Sequence, residues 1–157
     1  MTLSLPGVAQ EVPGGALPPG AAAELLRAHN AERSAVGVPP LVWDDTLAAS
    51  ALSCAQRLAS SGQLRHCWIG ENLWRGPAGR FSPAQMVALW GAERRFFQPG
   101  LFPAVSRSGN WADVGHYTQV VWRATQRVGC AAVSRQDVTW LVCQYSPPGN
   151  MEGRSVY

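Results

Sequence analysis

The chain has 157 residues, a formal charge of +3, 46% hydrophobic residues and only 15% charged ones. That length supports one domain with a sizeable core, and the composition excludes a disordered chain. All thirteen cations are arginines, scattered from Arg27 to Arg154 with no cluster beyond Arg94-Arg95, so a nucleic-acid face, which concentrates its charge, is not expected.

Arginine without lysine, beside abundant Ala, Gly and Pro, matches the coding bias of a high-GC bacterial genome. Residues 1–20 repeat Pro and Gly without periodicity and read as a flexible leader or linker. They lack a charged segment followed by an apolar run, so no signal peptide is visible; one is expected to have been removed. No apolar stretch is long enough to cross a membrane.

Residues 21–36 read as a helix, with Ala22, Leu25 and Leu26 on one side. A second helix is expected after Asp44 or Asp45, either of which can cap it, and Gly62 is placed to end it. A third opens at Ser82-Pro83, with Gln85 completing a capping box, and runs to about Phe97. From Gly109 the pattern changes. His116, Thr118, Val120 and Trp122 alternate with Tyr117, Gln119, Val121 and Arg123, which is strand periodicity. Val128–Val133 and Val138–Tyr145 read as two more strands. If Gln136-Asp137 is a two-residue turn, Val133 pairs with Trp140 and Cys130 lands opposite Cys143. Opposed β-carbons lie about 4.5–5.5 Å apart, close to disulfide reach. Cys130–Cys143 follows from that register, and Cys54–Cys67 by elimination. No pair is spaced as a zinc knuckle requires, and oxidised cysteines imply a compartment outside the cytosol.

Glu93 is the sharpest anomaly. Met86, Trp90, Glu93 and Phe97 form one helical stripe in which three residues are large and apolar and the fourth is a carboxylate. Either the helix turns Glu93 to solvent or a polar cavity receives it. A carboxylate kept there is expected to serve a cleft rather than packing, so Glu93→Leu is expected to leave the fold intact. His29, in the first helix, reads as structural, hydrogen-bonding across the core. By local pattern alone His116 is a core residue of a strand, His66 an exposed loop residue, and Glu71 uninformative.

The run Gly115-His116-Tyr117-Thr118-Gln119-Val120-Val121-Trp122 resembles the signature of the CAP superfamily, which includes cysteine-rich secretory proteins, venom antigen five and plant pathogenesis-related proteins. His29-Asn30 with Arg33, Leu41-Val42-Trp43-Asp44, Gly70-Glu71-Asn72-Leu73, Trp90 with Glu93, and Cys143-Gln144-Tyr145-Ser146-Pro147-Pro148-Gly149-Asn150 resemble further motifs in order. The resemblance spans residues 21–157 and identifies a CAP (SCP) domain there, with a bacterial origin expected. It implies an α+β fold, an α-β-α sandwich around a central, mainly antiparallel sheet. It also implies a cleft lined by His66, Glu71, Glu93 and His116. His66 and His116 would ligate zinc or another divalent cation directly. Glu71 and Glu93 would act through water or from behind the ligands.

Two functions are compatible with that resemblance. The first is a secreted or periplasmic, non-enzymatic binding protein for a lipid or sterol, or for an extracellular protein target. The alternative is a metal-dependent, peptidase-like hydrolase with Glu71 and Glu93 as catalytic carboxylates. Ser53, Ser60 and Ser134 have no histidine near them in sequence, and the binding role is favoured.

Overall fold

The second and third helices are bounded by the capping residues that the sequence placed there. The computed structural model describes residues 17–157, so residues 1–16 of the expected leader lie outside the described residues. Helix α1 spans Ala21–Ala35. Its buried stripe is Ala21, Leu25, His29 and Arg33, while Ala22 and Leu26, expected beside Leu25, are half-buried. Strand β1 is Val42–Trp43, and helix α2 spans Asp45–Ser61. The Asp44 carboxylate accepts the Leu47 amide at 2.9 Å, and Gly62, at φ 71°, ends the helix in the left-handed region. Strand β2 is Glu71–Pro77. Helix α3 is Pro83–Gly91, opened by the Ser82–Gln85 capping box. It is shorter than expected: at Ala92 the coil tightens to a 3-10 turn through Phe96.

Residues Gly115–Val120 are a helix, α4, not a strand. Tyr117, Thr118, Gln119 and Val120 are all buried, and a run of consecutive buried residues carries no diagnostic period. Strands β3, Arg127–Arg135, and β4, Val138–Ser146, then form the expected hairpin. Gln136 and Asp137 both take positive φ, 51° and 62°, as a tight hairpin turn requires. Val133 pairs with Trp140 and Cys130 with Cys143.

The sheet order is β1-β3-β4-β2, antiparallel except for the short β1–β3 pairing. Strand alternation divides the side chains between two cores. On one face Leu73, Ala131, Trp140 and Val142 pack with Ala51, Ala55 and Leu58 of α2. On the other, Trp74, Val128, Leu141 and Tyr145 pack with Leu25, Val87, Trp90 and Val120 from α1, α3 and α4. This is the expected α-β-α sandwich. Alternation along β2 also sends Glu71 and Asn72 to opposite sides at the strand's first two positions, where the sheet ends and a cleft begins.

Candidate functional site

Both cysteine pairs are bonded as expected, Cys54–Cys67 and Cys130–Cys143. The first ties the segment between α2 and β2 to α2, and so sets His66 beside the start of β2. Glu71 lies beneath it with a fully buried side chain. Its Oε1 accepts the Cys67 and Trp68 amides at 2.8 and 3.1 Å and lies 3.4 Å from His66 Nδ1. Its Oε2 accepts Gln144 Nε2 at 2.8 Å. Burial alone would raise the Glu71 pKa. The hydrogen bonds from His66, Gln144 and the two amides outweigh it and hold the carboxyl below its ordinary value.

The second pair is built across 23 residues of sequence. Glu93, on the turn after α3, accepts the His116 and Tyr117 amides on Oε1, both at 3.0 Å, and His116 Nδ1 on Oε2 at 2.8 Å. The two amides belong to the first turn of α4, whose donors have no partner within the helix. Glu93 thus caps α4 from another segment, as an anion at a helix N-terminus should. The His116 ring also stacks on Trp90, with centroids 5.9 Å apart and an interplanar angle of 14°.

The opposite end of α4 is closed by a cation. Arg33 is wholly buried, and its guanidinium donates to the carbonyls of Pro39, Val120, Trp122 and Thr125 at 2.7–3.0 Å, with a longer contact to Arg123 at 3.4 Å. Burial lowers its pKa to about 10, which leaves it charged at neutral pH. A six-residue helix is too short to persist alone; here a carboxylate and a guanidinium hold its two ends.

A buried chain of hydrogen bonds links α1 to the cleft. His29 Nδ1–H donates to the Leu25 carbonyl at 2.7 Å, and Nε2 accepts from the Tyr145 hydroxyl at 2.7 Å. Asn72 Nδ2 donates to the Tyr145 oxygen at 3.2 Å and to the His116 carbonyl at 3.0 Å. His29 is therefore structural, as its sequence position suggested. Asn72 and Tyr145, which sequence reasoning gave no role, stand within motifs it had matched.

His66, Glu71 and His116 line one cleft of about 320 Å³, together with Asn72, Gln119, Asn150, Trp68, Ile69 and Trp111. Glu93 is not part of that lining; it stands behind His116, bonded to its Nδ1. Because a carboxylate only accepts, each neutral imidazole bonded to one carries its proton on Nδ1 and leaves Nε2 with a free lone pair. That is the arrangement by which carboxylates orient metal-binding histidines, and the donor set suits zinc. Among the described residues, no three donor atoms of the four lie within 4.8 Å of one another. They form two histidine–glutamate pairs rather than one closed shell. Cys54, Cys67 and Glu71 do bring donor atoms that close, but sulfurs joined in a disulfide offer no thiolate.

The profile described as CAP, Cysteine-rich secretory protein family, matches residues 26–145. Pathogenesis-related protein PR-1 type of Sambucus nigra is 42% identical over 141 residues, covering 85% of this chain and 80% of that protein. Pathogenesis-related protein 1A of Nicotiana tabacum is 40% identical over 137 residues, covering 85% and 79%. These relatives are plant proteins and give no support to the bacterial origin read from composition. Among solved structures, a hookworm platelet inhibitor superposes with a TM-score of 0.75 at 20% identity, covering 94% of this chain and 79% of that one. NaASP2 with Zn2+ superposes with a TM-score of 0.75 at 24% identity, covering 92% and 87%.

Proposed function

This chain belongs to the cysteine-rich secretory protein family, and on that premise we propose that it is a secreted, non-enzymatic binding protein whose cleft takes a divalent cation through Nε2 of His66 and His116. The observation that supports this most directly is the pairing of each imidazole Nδ1 with a carboxylate, His66 with Glu71 and His116 with Glu93, while both rings line the same cleft. Zinc is the cation that neutral imidazoles suit best. His116 is held by Glu93 and by the Trp90 ring. His66, with 59% of its side chain exposed, is the partner free to move onto the ion. A site with two nitrogen ligands and no thiolate is weaker than a structural zinc centre.

The same geometry weighs against the hydrolase reading. Glu71 is buried and engaged by four donors, and three donors commit Glu93 to capping α4 and holding His116, so both carboxylates have structural partners in place of a water. The family reading also carries a lipid or sterol, or an extracellular protein, as partner. Secretion fits two disulfides, and no helix among the described residues is long and apolar enough to cross a membrane.

Zinc titration by calorimetry at about pH 7.5 and pH 5.5 tests the cation site. Binding is expected at the higher pH and weakening at the lower, because a ligating imidazole must be neutral and protons compete with the ion for it. The His66→Ala, His116→Ala double variant is expected to lose it. No heat at either pH, or unchanged affinity in the double variant, rejects the site; metal-dependent peptide hydrolysis would favour the enzyme.

A further inference from the structure

The segment that joins α2 to β2 carries its apolar side chains on the outside. Leu64 is 52% exposed, Trp68 64% and Ile69 80%, and Ile69 is the most exposed large apolar residue among those described. Turn tips ordinarily hold Gly, Asn, Asp, Ser or Pro. An adjacent Trp and Ile there leave apolar surface that folding does not bury.

The backbone beneath them is held from several sides. The Cys54–Cys67 bond ties the segment to α2. The buried Glu71 carboxylate accepts the Cys67 and Trp68 amides at 2.8 and 3.1 Å, and the Gly70 carbonyl accepts the Tyr145 amide at 2.9 Å. Gly70 itself stands at φ 74°, with Pro148 where a Cβ would go. The tip is therefore built before any partner arrives, which removes a cost of binding.

The charge around this tip has one sign. No Asp or Glu occurs from Thr46 to Gly70, whereas Arg57, Arg65 and His66 line one groove beside α2. Arg57 and Arg65 are exposed and form no ion pair among the described residues. Arg135 Nη1 lies 3.4 Å from Ser60 Oγ on the same groove and adds a third cation. Glu71, the next carboxylate along the chain, is buried and already engaged. An exposed Trp-Ile pair flanked by arginines fits the boundary of an anionic bilayer. There an indole sits at headgroup level, a branched side chain reaches the acyl boundary, and guanidinium groups meet phosphate. A protein partner would need an interface of roughly 800 Å² on each side. The groove beside the tip, lined by Ser53, Gln56, Ser60 and Gln63, offers it mostly polar surface.

We propose that the 64–69 segment docks this protein on anionic phospholipid, with Trp68 and Ile69 entering the interface and Arg57 and Arg65 meeting lipid phosphates. Docking of this kind needs no ion in the cleft, so it stands or falls apart from the cation site.

The test is cosedimentation of the intact protein, in EDTA, with vesicles of phosphatidylcholine alone and of phosphatidylcholine mixed with phosphatidylserine. Binding is expected on the anionic vesicles, weakening as salt is raised, and none on the neutral ones. Trp68→Ser with Ile69→Ser should weaken it about tenfold or more. Arg57→Gln with Arg65→Gln should weaken it about fivefold per arginine and reduce the salt dependence. All four side chains are exposed, so both double variants are expected to keep the parent's thermal midpoint, and a loss of binding is then a loss of the surface. No binding to either vesicle, equal binding to both, or binding that the Trp68→Ser, Ile69→Ser variant retains in full overturns the proposal. So does a dimer in sedimentation velocity that this variant abolishes while vesicles go unbound, because the tip is then a contact between copies.

Discussion

Glu93 Oε1 accepts the amides of both His116 and Tyr117 while its Oε2 accepts His116 Nδ1, so a single carboxylate caps α4 and orients the histidine at its start. This reverses the expectation that leucine is tolerated at position 93. Glu93→Leu leaves two helix-end amides and an imidazole N–H without their acceptor, and a loss of about 2–4 kcal/mol in metal-free urea denaturation is expected. Glu93→Gln keeps one acceptor oxygen and should lose about half as much. A leucine variant as stable as the parent would show that water replaces the carboxylate at no cost.

Arg33 makes the complementary prediction at the other end of α4. Its fork meets carbonyls of Pro39, Val120, Trp122 and Thr125, a pattern that a lysine ammonium cannot reproduce. Arg33→Lys is expected to lower stability by about 3 kcal/mol or more, leaving a buried charge with fewer partners. Equal midpoints for Arg33→Lys and the parent in thermal unfolding would contradict this.

Acid stability should fall in two steps. Burial lowers the His29 pKa from 6.5 to about 4, helped by the nearby Arg33 charge and opposed by the Leu25 carbonyl. Above pH 6.5 the ring is neutral folded and unfolded, and it contributes no pH dependence. Between 6.5 and about 4 the unfolded chain takes up a proton that the folded chain refuses, so stability declines as pH falls, by roughly 3 kcal/mol at 1.36 kcal/mol per tenfold. Glu71 acts lower. Its folded pKa is depressed, so its contribution is present above the unfolded value of 4.5 and lost as pH drops through the folded one. In denaturation midpoints measured from pH 7 to pH 3, His29→Gln should flatten the first step and leave the second.

The Cys54–Cys67 bond closes a separation of 13 residues, short enough that its loss should cost about 2–4 kcal/mol. Cys54→Ser with Cys67→Ser frees the segment that carries both His66 and Trp68. Zinc binding and tryptophan exposure should therefore change together. Non-reducing peptide mapping of the parent should return only the pairs Cys54–Cys67 and Cys130–Cys143; crossed pairs would refute the assignment.

What the sequence determined by itself is local or pairwise. The Asp44 cap, the Ser82–Gln85 capping box and the Gly62 stop act within a few residues of the helix they bound. The two-residue turn at Gln136-Asp137 sets the β3–β4 register, and with it the position of Cys130 against Cys143. Motif resemblance brought His66, Glu71 and His116 to one cleft. Tertiary structure alone decided the rest. The segment Gly115–Val120 alternates like a strand but is helical, because Glu93 and Arg33, remote in sequence, satisfy the amides at one end and the carbonyls at the other. A pattern of burial cannot report a helix with five of its six residues buried, and no local rule announces a cap supplied from 23 or 87 residues away. For the same reason the stripe left Glu93 open between solvent and a polar cavity, and only the tertiary structure set it behind His116, at the end of the helix it caps.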